Sequence, residues 1–249
     1  MHSTKYIYTF VFIMTTLVAL ILAGMFTALK PIHDRNAALY NKRAIIAAIE
    51  SKLDTRVADL SDEQVQEIFD KNITQQVIDT KGNLLNAAQI QSMSEGATTA
   101  EEIDMAKQKK KPESERILPF YTFTSDSGEK YYIISTRGNG LWDAIWGNIA
   151  LENDFNTIAG VSFDHQQETP GLGAEIKENA NWKKQYIGKQ FYDSDGNLIS
   201  IDAVKGGAKD PLHEVDAVSG ATITSDGVDA MLKNYMKLYE PYLEKLKQS

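Results

Sequence analysis

From Tyr6 to Leu29 the chain runs for 24 residues without a charge, dominated by Phe, Ile, Val, Leu and Ala. As a helix rising about 1.5 Å per residue, this run measures roughly 36 Å, enough to cross a hydrocarbon core of about 30 Å with some tilt. It exceeds the roughly 7 to 15 residues of a signal-peptide core, and no Ala-x-Ala site closes it. An uncleaved, single-pass anchor over residues 1–30 is therefore expected. Its orientation is not fixed by charge: Lys5 stands on one side, and Lys30, Arg35, Lys42 and Arg43 on the other, so the positive-inside rule gives no strong preference.

Beyond Pro31 the apolar and aromatic content suits a globular domain with a real core. The balance is acidic, with 34 Asp plus Glu against 26 Lys plus Arg, which argues against nucleic acid as a partner. The chain has no cysteine, which excludes disulfides and thiolate-bound iron-sulfur clusters, so any redox centre it carries is expected to be organic. Histidines at 2, 33, 165 and 213 show no metal-ligand spacing. No metal site is expected.

Periodicity gives an outline. Leu39, Ile45, Ile46, Ile49 and Leu53 mark an amphipathic helix from about Asn36 to Leu53, and Ser61 to Gln64 reads as a capping box opening a helix through Phe69. Thr74 to Leu85 reads as a hairpin turning at Lys81, Gly82 and Asn83. Residues 87–115 are polar and lack a strand pattern, and their lysines 107, 109, 110 and 111 read as a solvated face. Strands are expected at Phe120–Thr124, Tyr131–Ser135, Ile145–Ala150, Thr157–Phe163 and Leu198–Val204, with a short amphipathic segment at Trp182–Ile187. Val228, Met231, Leu232, Tyr235 and Leu238 recur at helical spacing to about Tyr239, with Thr224, Ser225 and Asp226 as N-cap candidates. The expected fold class is α+β: an anchor helix, a helical stalk and N-terminal part over 31–117, and a main domain over 118–249 with a mixed sheet and flanking helices.

The sharpest chemical signal is Asp216-Ala217-Val218-Ser219-Gly220-Ala221-Thr222. Ser219, Gly220 and Ala221 are small enough to admit a bulky group close to the backbone, and Gly220 tolerates a turn that other residues resist. Thr222 is expected just before a helix N-terminus, where free amides and the helix dipole favour an anionic group. Read without further context, the string is also an ordinary small-residue turn with a hydroxyl cap. An Asp three residues ahead of Ser-Gly-Ala-Thr resembles the acceptor motif for covalent flavin, in which a flavin transferase moves FMN from FAD onto the final Thr.

Three further strings accompany it: Arg137 to Gly147 (RGNGLWDAIWG), Glu168 to Gly173 (ETPGLG) and Val204 to Gly207 (VKGG). With Asp216–Thr222 and the following Thr224-Ser225-Asp226-Gly227, they resemble the C subunits of sodium-translocating NADH:quinone reductases, most specifically over Gly138–Val228. The G subunits of Rnf electron-transport complexes share the anchor, the Glu-Thr-Pro-Gly-Leu-Gly string and the acceptor motif. The Gly-Leu-Trp string and the longer N-terminal region here favour the sodium pump. Rnf relatives often place His two residues before the Glu. Gln166 holds that place in this chain, so His165 is given no role.

The resemblance implies an FMN joined by a phosphoester to Thr222, bordered by the turn of Glu168, Thr169, Leu172 and Gly173. Leu172 would pack on the flavin ring, Thr169 meet its edge and Trp142 line the same groove, beside Ser219, Gly220 and Ala221. Core burial is the plain alternative for Trp142 and Trp146. Lys205, beside Gly206 and Gly207, would meet the phosphate or the electron-rich side of the ring, or stand solvated. Asp216 would be read by the transferase or position the phosphate region. Electrons would pass from NADH on another subunit through this flavin to quinone, coupled to sodium export, with the soluble domain on the periplasmic side of a bacterial inner membrane. The implied partners are the other subunits of a membrane redox complex and the flavin transferase. The chain has no nucleotide-binding glycine fingerprint, so no direct NADH binding is expected, and one helix without buried charge would not form the sodium path alone. An Rnf-type G subunit, or an anchored binding module without flavin, are the competing readings.

Overall fold

A computed structural model describes residues 3–248; His2 lies outside them. Chain contacts divide the molecule between Tyr40 and Asn41. From Thr4 the first unit runs along helix α1 (Thr4–Ala47), which passes through Pro31 and is long and apolar enough to cross a membrane. Three of its hydroxyls are satisfied within the helix, as suits a lipid-facing segment: Thr9, Thr15 and Thr27 donate to the carbonyls of Lys5, Val11 and Ala23 at 2.9, 2.9 and 2.8 Å. The apolar run and the amphipathic segment expected separately from Asn36 are one helix, which ends at Ala47 and is followed by a 3₁₀ turn at Glu50–Lys52.

In the second unit, five strands form an antiparallel meander in chain order: β1 (Ile73–Asp79), β2 (Ile117–Thr124), β3 (Lys130–Asn139), β4 (Ala144–Leu151) and β5 (Ile158–His165). The expected mixed sheet is instead two sheets: the meander is wholly antiparallel, and the parallel pairing is confined to a separate pair, β6 (Asp202–Val204) with β7 (Glu214–Asp216). The fold is α+β. The long C-terminal helix α7 (Thr222–Lys247) covers one face of the sheet, burying Val228, Met231, Leu232, Tyr235, Tyr239 and Tyr242 with Phe120, Ile134, Ile145 and Ile149. Its fixing point is Tyr239: the buried hydroxyl donates to the Pro119 carbonyl at 2.6 Å and accepts from the Ser135 amide at 3.2 Å. The other face buries Ile45, Ile46, Ala48 and Ile49 with Val65, Phe69, Tyr121, Ile133 and Ala159. Covered on both sides, β5 is buried from Ile158 to Asp164, so its sequence reads as a continuous run rather than an alternation.

The capping box predicted at Ser61 and Gln64 is present and opens α2 (Asp62–Asn72), which runs three residues past Phe69. The expected hairpin at 74–85 reduces to one bridge, Ile78 to Leu84. Asp79 accepts the Lys81 and Asn83 amides at the turn, while β1 spends its ladder on β2. The polar segment after Asn86 is a set of short helices, chiefly α3 (Ala87–Ser94) and α4 (Met105–Lys110), opened by the side chains of Asn86 and Asp104. Its lysines are more engaged than a solvated face. Lys107 pairs with Glu95 at 2.8 Å, Lys109 donates to Asn139 Oδ1 at 2.6 Å, and Lys111 donates to the Met93 carbonyl. Two further short helices, α5 (Glu175–Glu178) and α6 (Ala180–Lys184), follow β5, and Trp182 and Tyr186 are buried as the amphipathic pattern predicts. The strand expected over Leu198–Val204 is confined to Asp202–Val204. Ser200 interrupts it with φ +74°, and β7 has no recognisable sequence pattern of its own.

Candidate functional site

Four segments of the sequence motifs meet at the N-terminal end of α7: the β3–β4 turn at 139–143, the loop at 166–174 after β5, the turn at 205–207 after β6, and residues 216–222 leading from β7 into the helix. Thr222 is the first residue of the helix and half-buried, with Ala221 as its N-cap. The expected arrangement, Thr222 ahead of a helix capped by Thr224 or Ser225, is corrected. Both hydroxyls sit inside the first turn, fully buried, and bind other segments. Ser225 Oγ accepts from the Val218 amide at 3.1 Å, and Thr224 Oγ1 donates to Glu168 Oε2 at 2.6 Å. No side chain caps α7, and among the described residues the amides of Thr222, Ile223 and Thr224 have no acceptor. An uncapped end of a 26-residue helix presents free donors and a positive dipole beside Thr222, an arrangement that suits an anion.

Glu168 is the clasp of the site. It is 5% exposed; Oε2 accepts from Thr224 on α7, Oε1 accepts from the Trp142 amide in the β3–β4 turn at 3.0 Å, and its own amide donates to His165 Nδ1 at 3.1 Å. One carboxylate therefore fixes three segments relative to one another. The close fit explains its glycine neighbours: a Cβ at Gly173 would stand 2.3 Å from Glu168 Oε2, and one at Gly140 would stand 2.4 Å from Oε1. His165, given no role on sequence grounds, holds the Glu168 backbone.

The segments that meet here expose large apolar side chains. Leu141, Trp142, Leu172 and Ile223 are exposed, Trp142 by 67%, which removes the core alternative for Trp142. Trp146 is half-buried on β4, with the Arg137 guanidinium 5.1 Å from its ring centroid. Leu172 lies against the acceptor segment, since a Cβ on Gly220 would come within 2.8 Å of its Cδ2. Gly220 itself has φ +74°, so a side chain there is opposed twice. Thr169, Pro170 and Ser219 are exposed, while Gly173 and Ala221 are buried.

Lys205 is exposed at the head of the Gly206–Gly207 turn. The turn is held from behind by two acids. Asp216 Oδ1 accepts from the Ala208 amide at 2.8 Å, and Asp229 Oδ2 on α7 accepts from the Ala203 amide at 3.0 Å. Asp216 is also gripped through its backbone, by Trp182 Nε1 on its carbonyl at 2.7 Å and by Gln185 on its amide at 2.8 Å. Burial pushes the Asp229 carboxyl up to about 7, against one helpful backbone hydrogen bond and with Asp202 and Asp226 adding repulsion. Among the described residues no cluster of His, Asp and Glu could hold a metal ion.

Residues 140–237 match the family model described as the FMN-binding domain, a span that takes in all four segments but for Asn139. Over 227 residues the chain is 34% identical to the C subunit of the Na(+)-translocating NADH-quinone reductase of Pseudomonas aeruginosa, covering 84% of this chain and 82% of that protein. The chain belongs to this family of C subunits. A second member, from Neisseria meningitidis, is 31% identical over 93% of this chain and 90% of its own length. The crystal structure of the C subunit from Parabacteroides distasonis superposes with a TM-score of 0.71 at 29% identity, over 86% of this chain and 96% of that one. The fold is thus shared within the family, and the site lies inside the part matched as FMN-binding. The residues present suit such a ligand: a hydroxyl at an uncapped helix end for the phosphate, and exposed Trp, Leu and Ile side chains for a flat ring.

Proposed function

We propose that this chain is a membrane-anchored flavoprotein that carries FMN as a phosphoester on Thr222 and relays electrons on the route from NADH to quinone in a sodium-exporting complex. The observation that carries the attachment is the place of Thr222: a half-exposed hydroxyl on the first residue of an uncapped helix, bordered by exposed Leu172 and Ile223. Attachment would form the Thr222 Oγ–phosphorus bond and break the pyrophosphate of FAD, releasing AMP, with the hydroxyl proton passing to a base on the transferase. When bound, the flavin supplies the electron-accepting and electron-donating chemistry.

The chain's own residues position and tune. The amides of Thr222, Ile223 and Thr224 face the phosphate region. Trp142, Leu172 and Thr169 border the ring, with Ser219, Gly220, Ala221 and Gly173 leaving room for it. Glu168 holds these parts together without facing the ligand, since both its oxygens are engaged. Asp216 acts on the Lys205 turn, bringing that lysine toward the phosphate or the electron-rich edge of the ring. A covalent tether suits a shallow surface site, where burial alone would bind weakly and exposure permits transfer to a neighbour. Residues 1–30 would anchor the chain, the soluble unit would lie on the periplasmic side, and NADH and sodium would be handled by other subunits.

The test is intact mass and in-gel flavin fluorescence of the denatured chain produced with its transferase. Wild type should carry the FMN mass and Thr222→Ala should lose it while still folding. Absence of bound flavin in wild type beside an active transferase would overturn the reading.

A further inference from the structure

Behind the β3–β4 turn lies a group of cations that the flavin reading leaves unused. Lys109 on α4 reaches Asn139 at the tip of β3, its Nζ 2.6 Å from Oδ1. Arg116 donates to the carbonyls of Lys109 and Lys111 at 3.1 and 3.0 Å, which places its guanidinium against the same short helix. The guanidinium of Arg137, two residues before Asn139, rests over Trp146 and makes no hydrogen bond or ion pair among the described residues. None of the three pairs with a carboxylate, although the chain as a whole carries a net charge of −8. Burial holds the Lys109 ammonium below its usual range, and repulsion from Arg137 and Arg116 adds to the effect.

Three cations gathered without a counter-ion, one of them a half-buried guanidinium with its donors free, form a receptor for an anion of planar, two-oxygen shape. Two residues beyond Asn139, Leu141 is exposed, so charge and apolar surface adjoin, as they do where Arg and Trp anchor protein interfaces. A small free anion would make no use of the apolar part. We propose that Lys109, Arg116 and Arg137 receive an acidic segment, an Asp or Glu side chain, of a neighbouring subunit. This seats the partner beside the β3–β4 turn that carries Trp142. It rests on the reading of the chain as one subunit of a redox complex.

The experiment is zero-length carbodiimide cross-linking of the purified complex, followed by peptide mass spectrometry, together with stepwise salt washing of complexes containing the Lys109→Gln/Arg137→Gln pair. The expected result is an amide between Lys109 and a carboxylate of another subunit. The paired variant should release this chain at a several-fold lower salt concentration than wild type, and Lys109→Arg should restore retention. Cross-links only to carboxylates of this same chain, or wild-type salt resistance in the paired variant, would overturn the proposal. So would saturable binding of inorganic phosphate or of anionic vesicles at these residues without any inter-subunit link. If wild type does not co-purify with other subunits at all, the complex reading itself fails, which is a separate outcome.

Discussion

Replacing Glu168 tests the site most severely, because one carboxylate serves three segments. Each hydrogen bond to a charged group contributes about 1.5–3 kcal/mol. Glu168→Ala removes two of these, to Trp142 and Thr224, and leaves space in a buried position, for an expected loss of about 3–5 kcal/mol. Glu168→Gln keeps the volume: its amide oxygen still accepts from the Trp142 amide, and its NH₂ donates to a Thr224 hydroxyl that turns to accept. Its cost should be about 1 kcal/mol, the difference between a charged and a neutral bond. Thr224→Val deletes the other partner and should cost about 2 kcal/mol, with a coupling to Glu168 of about 1.5–3 kcal/mol in a double-mutant cycle. Urea unfolding of the full chain in mild detergent, followed by tryptophan fluorescence, measures wild type, the three single variants and the double variant. Equal losses for Glu168→Ala and Glu168→Gln, or additive effects of Glu168 and Thr224 changes, would refute the clasp.

Asp229 should make stability depend on pH in the direction opposite to an ion-paired carboxylate. Its folded value of about 7 stands above its ordinary 3.8, so the fold favours the protonated form and stability falls as pH rises from about 4 through 7. Asp229→Asn should remove that slope and be more stable than wild type at pH 8, by on the order of 3 kcal/mol, as read from melting temperatures across pH. Gly220→Ala combines positive φ with contact against Leu172 and should cost about 1–3 kcal/mol while lowering flavin incorporation, measured by fluorescence of the denatured chain. Tyr239→Phe leaves the Ser135 amide and Pro119 carbonyl without their shared hydroxyl and should cost about 2–3 kcal/mol in the same urea assay.

Much of this molecule is legible in its sequence where local signals act alone. The uncharged run, the Ser61–Gln64 box and the β2, β3, β4 and β5 strands follow from composition and period. Errors arise where a distant contact decides. Thr224 and Ser225 look like caps because hydroxyls before an apolar run usually are, yet Glu168 and the Val218 amide claim them from other segments. The helices after Asn86 lack periodicity because they are only one or two turns long, fixed by side-chain caps and contacts with the sheet. β7 is three residues long and exists only because β6 lies beside it. His165 escapes a reading by motif because its partner is a backbone amide, which no spacing rule reports. The motif strings mark the site, and which residue touches which comes from the fold.

Helix ends ordinarily fray, and an attachment point on a fraying end would let its load wander. Here the first turn of α7 is pinned at Thr224 and Ser225, and the far half of the same helix is bolted into the sheet at Tyr239. A group joined to Thr222 would therefore swing only about the few bonds of its own linkage, like a lamp on a short bracket fixed to a structural beam. Electron transfer rates fall steeply with distance, so under the proposed relay such a bracket would trade reach for a constant gap, and the neighbour would have to come to the lamp.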